Sequence, residues 1–156
     1  MSKVTPATQV LDRAGVAYGL HTYDYDPGAD SIGRHAALSL GVDPAIMFKS
    51  LMTLVDGKPV CAVLPSDREA ALKRLAQAAG GKTAVMMAPD KAERMTGYKV
   101  GGISPLGQRR ACLVVVEAAA LDHAQIFVNG GQRGLQIQIA PADLIAVLGA
   151  AAASFS

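Results

Sequence analysis

The sequence predicts a single domain over residues 1–156, of the α+β (mixed α/β) class. Its sheet is expected to be curved and largely antiparallel, with helices around it. Three observations predict this. Strand-like and helix-like segments interleave without a strict strand-helix-strand rhythm. Two tight-turn signals, Asp56-Gly57-Lys58 and Asn129-Gly130-Gly131-Gln132, each lie between apolar runs, as in antiparallel hairpins. A chain of 156 residues suits one domain, and at this size roughly 68–70% of the unfolded surface can be buried. No internal repeat and no linker interrupts it.

The elements follow in order. Thr5-Pro6 reads as an N-cap followed by proline at the first helical position. Val10, Leu11 and Ala14 keep helical spacing, and Gly15 closes the helix. Val16 to Tyr25 alternates as a strand, and residues 26–30 read as loop. Ile32 to Leu40 is a helix ending at Gly41, and Asp43-Pro44 begins a short helical turn. Lys49 to Val55 and Pro59 to Leu64 are the strands of the first hairpin. Ser66-Asp67-Arg68-Glu69 reads as a capping box before Leu72, Leu75, Ala76 and Ala79, with Gly80-Gly81 as the stop. A short strand over 84–88, a helix from Pro89, a strand over 112–116 and a short helix over 118–121 come next. Ile126 to Val128 and Leu135 to Ile139 flank the second turn. Pro141 starts a last helix, and Ala150 to Ser156 is expected to fray.

Composition excludes several classes. Hydrophobic residues make up 51% of the chain and aromatics only 4%, so the core is aliphatic and the chain is not disordered. The longest nearly pure apolar run, Leu144 to Ala153, is far short of the ~20 residues of a membrane helix. Met1 to Arg13 lacks the apolar stretch of a secretory signal. Cys61 and Cys112 form neither a disulfide framework nor a metal pair, and read as free thiols of a reducing cytoplasm. His21, His35 and His123 have no metal-ligand spacing, and neither a nucleophile elbow nor a P-loop is present. The expectation is therefore chemistry without metal or cofactor. Charge is uneven. Residues 34–110 hold twelve basic and six acidic side chains, a local +6 against +2 for the whole chain. That balance suits either a phosphate-bearing partner or a solvated helix face.

Two features could carry chemistry. Val100 to Gly107 holds three glycines, a serine and a proline, and glycines let backbone N–H groups converge on an oxyanion or a phosphate. A tight double turn between packed elements is the other reading. Lys49 sits between Phe48 and Ser50 in an apolar strand. It either extends outward over its own stem or enters a cleft where it can hold a carbonyl or phosphate.

Several blocks together point to a family: His21-Thr22-Tyr23, Phe48-Lys49-Ser50-Leu51, Thr96-Gly97-Tyr98, Val100 to Gln108, and Gly130 to Leu135. In this order and spacing the chain resembles, nearly end to end, the YbaK-type Cys-tRNA(Pro) deacylases. These are free-standing members of the superfamily that includes the editing insertion of prolyl-tRNA synthetases. The resemblance implies a cytoplasmic enzyme that hydrolyses the ester of mischarged Cys-tRNA(Pro), or of Cys-tRNA(Cys), in trans. The substrate's own thiol would attack its ester carbonyl, so the reaction can also be described as a lyase step. A thiol already tethered to the ester needs no protein nucleophile.

The resemblance also assigns residues. Lys49 and Gly101 are the implied catalytic residues. Lys49 orients the ester and adds charge beside the oxyanion, and the Gly101 and Gly102 amides serve as donors. Tyr23, Ser50, Tyr98, Gly102, Ile103, Ser104, Asn129, Gly130 and Gln136 are the implied substrate-binding residues. The implied partners are the tRNA 3′ aminoacyl end and prolyl-tRNA synthetase, with no membrane. Four positions depart from the family pattern: Ser50 replaces a threonine, Asn129 a serine, Gln136 an aspartate and Ile32 an aromatic. Asn129 and Gln136 remove acidic or hydroxyl groups from the amino-acid pocket. They leave open a preference for another small amino acid, as on Ala-tRNA(Pro), or a module that binds aminoacyl ends without cleaving them.

Overall fold

A computed structural model describes residues 4–29 and 31–156. Residues 1–3 of the expected leaderless N-terminus and Asp30 of the expected loop lie outside the described residues. The chain forms helices α1 (Pro6–Ala14), α2 (Ile32–Leu40), α3 (Leu72–Ala78), α4 (Pro89–Thr96) and α5 (Pro141–Leu148). The strands are β1 (Gly19–Thr22), β2 (Phe48–Val55), β3 (Lys58–Pro65), β4 (Ala84–Met86), β5 (Leu113–Glu117), β6 (Ile126–Asn129), β7 (Leu135–Ile139) and β8 (Ala151–Ala153). A short 3-10 helix covers Ala118–Asp122. No helix among the described residues is long and apolar enough to cross a membrane.

The mixed α+β class holds, and the sheet is built in two parts. One has the order β1-β7-β6 and is antiparallel throughout. The other has the order β4-β2-β3-β5-β8. Its β2 pairs antiparallel with β3 and β4, while β3-β5 and β5-β8 are parallel. An isolated bridge from Met47 to Phe127 and the bond from Phe127 N–H to Ile46 O join the two parts.

Local chemistry explains the well-defined ends. The Thr5 hydroxyl accepts from Thr8 N–H at 3.2 Å, and Thr8 returns the bond to Thr5 N–H, closing a capping box at α1. Asp56 and Gly57 both take positive φ, 49° and 81°. That is the two-residue primed turn whose twist matches the flanking strands. Alternation along β3 sends Cys61 and Val63 to one face, where they meet Ala92 and Met95 of α4. Val60, Ala62 and Leu64 go to the other face, where they meet Leu75 and Ala76 of α3. The two helices therefore cover opposite faces of the five-stranded sheet.

Three expectations are corrected. The strand expected over 16–25 is only β1, because Val16 N–H turns back to Leu11 O at the end of α1, and beyond the last rung, Tyr23 N–H to Gly134 O at 3.0 Å, Gly134 takes a φ of +82° that turns the partner strand away. Ser66 caps no helix. Its hydroxyl donates to Pro44 O at 3.0 Å, and α3 begins at Leu72 behind Ala71 with no side-chain cap. The C-terminal segment does not fray. Ala151–Ala153 adds a parallel edge strand, and Phe155 is fully buried.

Glu117 holds that tail. Its carboxylate accepts from Phe155 N–H at 2.9 Å, Ser156 N–H at 3.0 Å and the Ser156 hydroxyl at 2.8 Å, and from Ala119 N–H at 3.0 Å. Burial alone would raise the Glu117 pKa, but the bonds from Ala119, Phe155 and Ser156 outweigh it and hold it below the ordinary value. A carboxylate depressed in this way stabilises the fold above its unfolded pKa and loses that contribution as pH falls through the folded one. Glu117→Gln, which cannot accept all four bonds, should be less stable than the wild type at neutral pH. The difference should close as pH falls below the ordinary carboxylate range. Chemical denaturation of both proteins from pH 7 downward checks this, and a pH-independent difference contradicts it.

Candidate active site

A cleft of about 220 Å³ opens where the two sheets meet. The start of β2 supplies Phe48, Lys49, Ser50 and Leu51. The glycine loop supplies Val100, Gly101 and Ile103. The β6-β7 hairpin supplies Asn129 and Gln136, and the N-cap and first residues of α2 supply Ser31, Ile32 and Gly33.

Lys49 is half-buried and, among the described residues, has neither hydrogen bond nor salt bridge. Desolvation lowers its pKa, and Arg34 adds to this, while the carboxylates of Glu69 and Asp67 pull the other way. A cation taken partly out of water without a direct partner costs stability. The cleft reading of Lys49 therefore fits better than outward extension, since it lines the cavity.

Gly101 occupies the third position of a turn closed by Gly102 N–H to Lys99 O at 2.8 Å. Its φ of +89° is the left-handed value such a turn needs at that position. A side chain there would also collide with the Tyr25 hydroxyl. The turn consumes the Gly102 N–H, so of the two glycine amides named from the sequence only that of Gly101 is free of a partner among the described residues. Arg133 braces the loop from outside. Its Nε donates to Val100 O at 2.9 Å, and its guanidinium lies 5.2 Å over the Tyr25 ring.

Asn129 links the loops. Its Nδ2 donates to Gly101 O at 3.1 Å and its Oδ1 accepts from Gly131 N–H at 2.7 Å. The next carbonyl, Gly130 O, accepts from the Thr5 hydroxyl at 2.6 Å. The α1 cap, the glycine loop and the β6-β7 turn thus form one unit.

Apart from Lys49 the polar lining is neutral and partly unsatisfied. Ser50 Oγ and Gln136 Oε1 are buried without a hydrogen-bond partner, as is the Tyr23 hydroxyl. Burial raises the Tyr23 pKa, and the Gln136 side chain and Gly134 backbone oppose this. Orphaned polar groups at a cleft are groups awaiting a partner.

The structure brings together Lys49, Ser50, Gly101, Ile103, Asn129 and Gln136 in the cleft lining. Tyr23, Tyr98, Gly102, Ser104 and Gly130 stand behind it. Tyr98 is buried, with its hydroxyl donating to Leu106 O at 2.7 Å and its pKa pushed up to about 12 by burial. Ser104 Oγ accepts from Leu106 N–H at 3.2 Å. A Cβ on Gly102 would meet Arg133 N at 2.8 Å, so that glycine permits close packing of the two loops. Sequence reasoning missed Ser31, Gly33, Tyr25 and Arg133. Ser31 was detectable as the N-cap before Ile32, since its hydroxyl accepts from Arg34 N–H at 3.3 Å. Arg133 lay inside the Gly130 to Leu135 block without a role, and nothing local marked Tyr25; the parts both play depend on loops distant in sequence. His21 pairs with Gln138 and His35 with Asp24 O, each at 2.9 Å, and neither lines the cleft.

A model of the aminoacyl-tRNA editing domain matches residues 26–147. The chain belongs to the aminoacyl-tRNA editing domain family. EbsC of Enterococcus faecalis, provisionally named a Cys-tRNA(Pro)/Cys-tRNA(Cys) deacylase, is 32% identical over 145 residues, which is 92% of this chain and 87% of EbsC. The proline–tRNA ligase of Nitratidesulfovibrio vulgaris (strain DP4) is 35% identical over 81 residues, 52% of this chain but only 14% of the ligase. Among solved structures, hypothetical protein APE2540 superposes with a TM-score of 0.84 at 24% identity, covering 97% of this chain and 99% of its own. A structure described as a candidate trans-editing enzyme for prolyl-tRNA synthetase gives 0.80 at 18% identity and 98% of both chains. These two likenesses establish the editing-domain fold.

The Asn129 link carries its own prediction. Asn129→Ala leaves Gly131 N–H and Gly101 O without their partner, which should cost about 1–3 kcal/mol of stability. Denaturant titration measures this, and an unchanged midpoint would mean that the loops are held by other contacts.

Proposed function

We propose that this editing-domain protein is a trans-acting deacylase that cleaves the ester of Cys-tRNA(Pro), acting in the cytoplasm. The observation that carries the reading is the pairing of Lys49 with the free Gly101 N–H in a cleft whose described lining contains no imidazole, thiol or carboxylate. Charge and a donor are provided for an oxyanion, while the described lining places no imidazole or carboxylate to activate Ser31 or Ser50 as a nucleophile. The name of EbsC supports the same substrate class.

The chemistry follows from that division of labour. The cysteinyl sulfur attacks the ester carbonyl, so an S–C bond forms and the C–O bond to the ribose breaks. The thiol proton ends on the departing ribose hydroxyl, and water then opens the four-membered thiolactone to cysteine. Lys49 orients the ester and places positive charge beside the developing oxyanion, which the Gly101 N–H receives. The uncharged Gln136 and Ser50 oxygens, both lacking partners, accept hydrogen bonds from the substrate ammonium. Prolyl-tRNA synthetase is the proposed source of the mischarged substrate, since near-isosteric amino acids are separated poorly by pocket fit alone.

A second reading rests on the same neutral lining. Without a carboxylate to fix the ammonium, a pocket of this size also admits alanine. Single-turnover deacylation of Cys-tRNA(Pro), Ala-tRNA(Pro) and Ser-tRNA(Pro) separates the readings. The thiol route predicts cysteine fastest, and serine slower because a hydroxyl replaces the sulfur. Equal rates on all three would remove the thiol from the mechanism, and no hydrolysis of any would leave a binding module. Lys49→Ala should abolish turnover with nearly unchanged Tm, because the side chain has no hydrogen bond or ion pair to lose among the described residues. A large fall in Tm would mark Lys49 as structural instead.

A further inference from the structure

A string of surface depressions leads away from the cleft, and its rims are basic. Beyond Val100 and Gly101 the first depression is lined by Lys99, Gly102, Gln132 and Arg133. The next shares Gly97, Tyr98 and Lys99 with it and adds Arg94 and Arg109. The last shares Arg94 and adds Lys58, Lys91 and Arg110. All seven cations are exposed. The acids beside them are Asp90 and Glu93. Glu93 is occupied by Val100 N–H at 2.9 Å. Asp90 meets Arg94 at 3.9 Å with both side chains about three-quarters exposed, a pair that neutralises little.

The track has a direction and a length. Lys49 stands at the cleft end of β2, and Lys58 follows the turn at the other end of the same strand. Six residue steps from Lys49 to Val55 span about 20 Å at ~3.3 Å per residue. Along a duplex axis one strand presents a phosphate every ~3.4 Å, so about six phosphates of one strand of a helical stem fit that distance. No aromatic ring is exposed among the lining residues of these depressions, since Tyr98 is buried. The platform for stacking bases is therefore missing, and what remains reads charge.

We infer that the basic track from Arg133 to Lys58 is a phosphate-backbone docking surface for the RNA strand whose 3′ end enters the cleft, and that it is blind to base sequence. The inference rests on the proposed deacylase reading for the identity of the RNA and assigns it a path over the α4 face. The opposite face of the sheet carries α3 with its own exposed cations, Lys73 and Arg74, which the track does not reach.

The test compares K58A/K91A/R110A with K73A/R74A. All five side chains are exposed, so the variants should keep the wild-type Tm. Binding of uncharged tRNA is measured against salt. Each phosphate contact contributes about −0.7 to −0.9 to the slope of log K against log[salt]. The triple variant should bind at least tenfold more weakly at low salt, with a slope flatter by about 2, whereas K73A/R74A should match the wild type. Two tRNAs of unrelated acceptor sequence should behave alike. Hydrolysis of a short 3′-aminoacylated CCA fragment should be unchanged in the triple variant, because the fragment ends before the far depression. Unchanged affinity and slope in the triple variant, an equal loss in K73A/R74A, or slowed fragment hydrolysis would each overturn the assignment. Failure of the wild type to cleave any aminoacyl ester would overturn the proposed function alone, because the binding comparison needs no turnover.

Discussion

The carboxamide of Asn129 is the contact on which the site depends. One side chain binds the carbonyl of Gly101 and the amide of Gly131. Each bond is worth only about 1 kcal/mol net. Their importance is geometric, because they fix the Gly101–Gly102 peptide beside the Val100–Gly101 peptide that carries the Gly101 N–H and whose own carbonyl accepts from Arg133 Nε. The neighbouring Gly130 carbonyl is fixed by the Thr5 hydroxyl, so the cap of the first helix and the turn of the last hairpin are set together. The loop is braced on its outer side by Arg133 and Tyr25. A donor held this way is arranged before substrate arrives, which is what makes a backbone amide useful to an oxyanion.

Lys49 shows the complementary cost. It is half-buried, its charge is disfavoured by desolvation, and among the described residues the acids that act on it, Glu69 and Asp67, form no salt bridge with it. The fold accepts this where a neutral residue would be more stable. Around it, Ser50, Gln136 and Tyr23 hold buried oxygens without partners. Stored polarity of this kind is expected at a binding site and is rare in a core. The protein supplies position and charge, and the reading leaves the nucleophile to the substrate.

Much of the fold was legible because local chemistry governed it. Thr5-Pro6, Gly15, Gly41 and Asp56-Gly57 each mark an end or a turn through their own dihedral limits, and each does so in the structure. The failures arise where distant contacts prevail. Ser66 had the spacing of a cap, but Pro44, 22 residues earlier, takes its hydroxyl. The alanine-rich end looked like fraying chain, yet it pairs with β5 and is anchored by Glu117, 38 residues before Phe155. The site was legible to a similar degree. Lys49 and Gly101 stood out as a cation in an apolar strand and a glycine-dense loop. Tyr98, Ser104, Gly102 and Gly130 belong to the same motifs, but they shape the loop from behind. A motif does not separate residues that touch a ligand from those that hold the ones that do. The basic track was legible only as a net charge, because its members run from Lys58 to Arg133 and only the fold aligns them.

The central claim is that the Gly101 amide and Lys49 receive the aminoacyl ester. The most direct measurement is an amide NMR titration with a non-hydrolysable 3′-cysteinylamino-adenosine. The account predicts the largest shift at Gly101, with Asn129 and Gln136 side-chain amides responding. Gly102, already bonded to Lys99 O, should stay nearly still. Shifts confined to the surface beyond the cleft, with Gly101 unmoved at saturation, would contradict it.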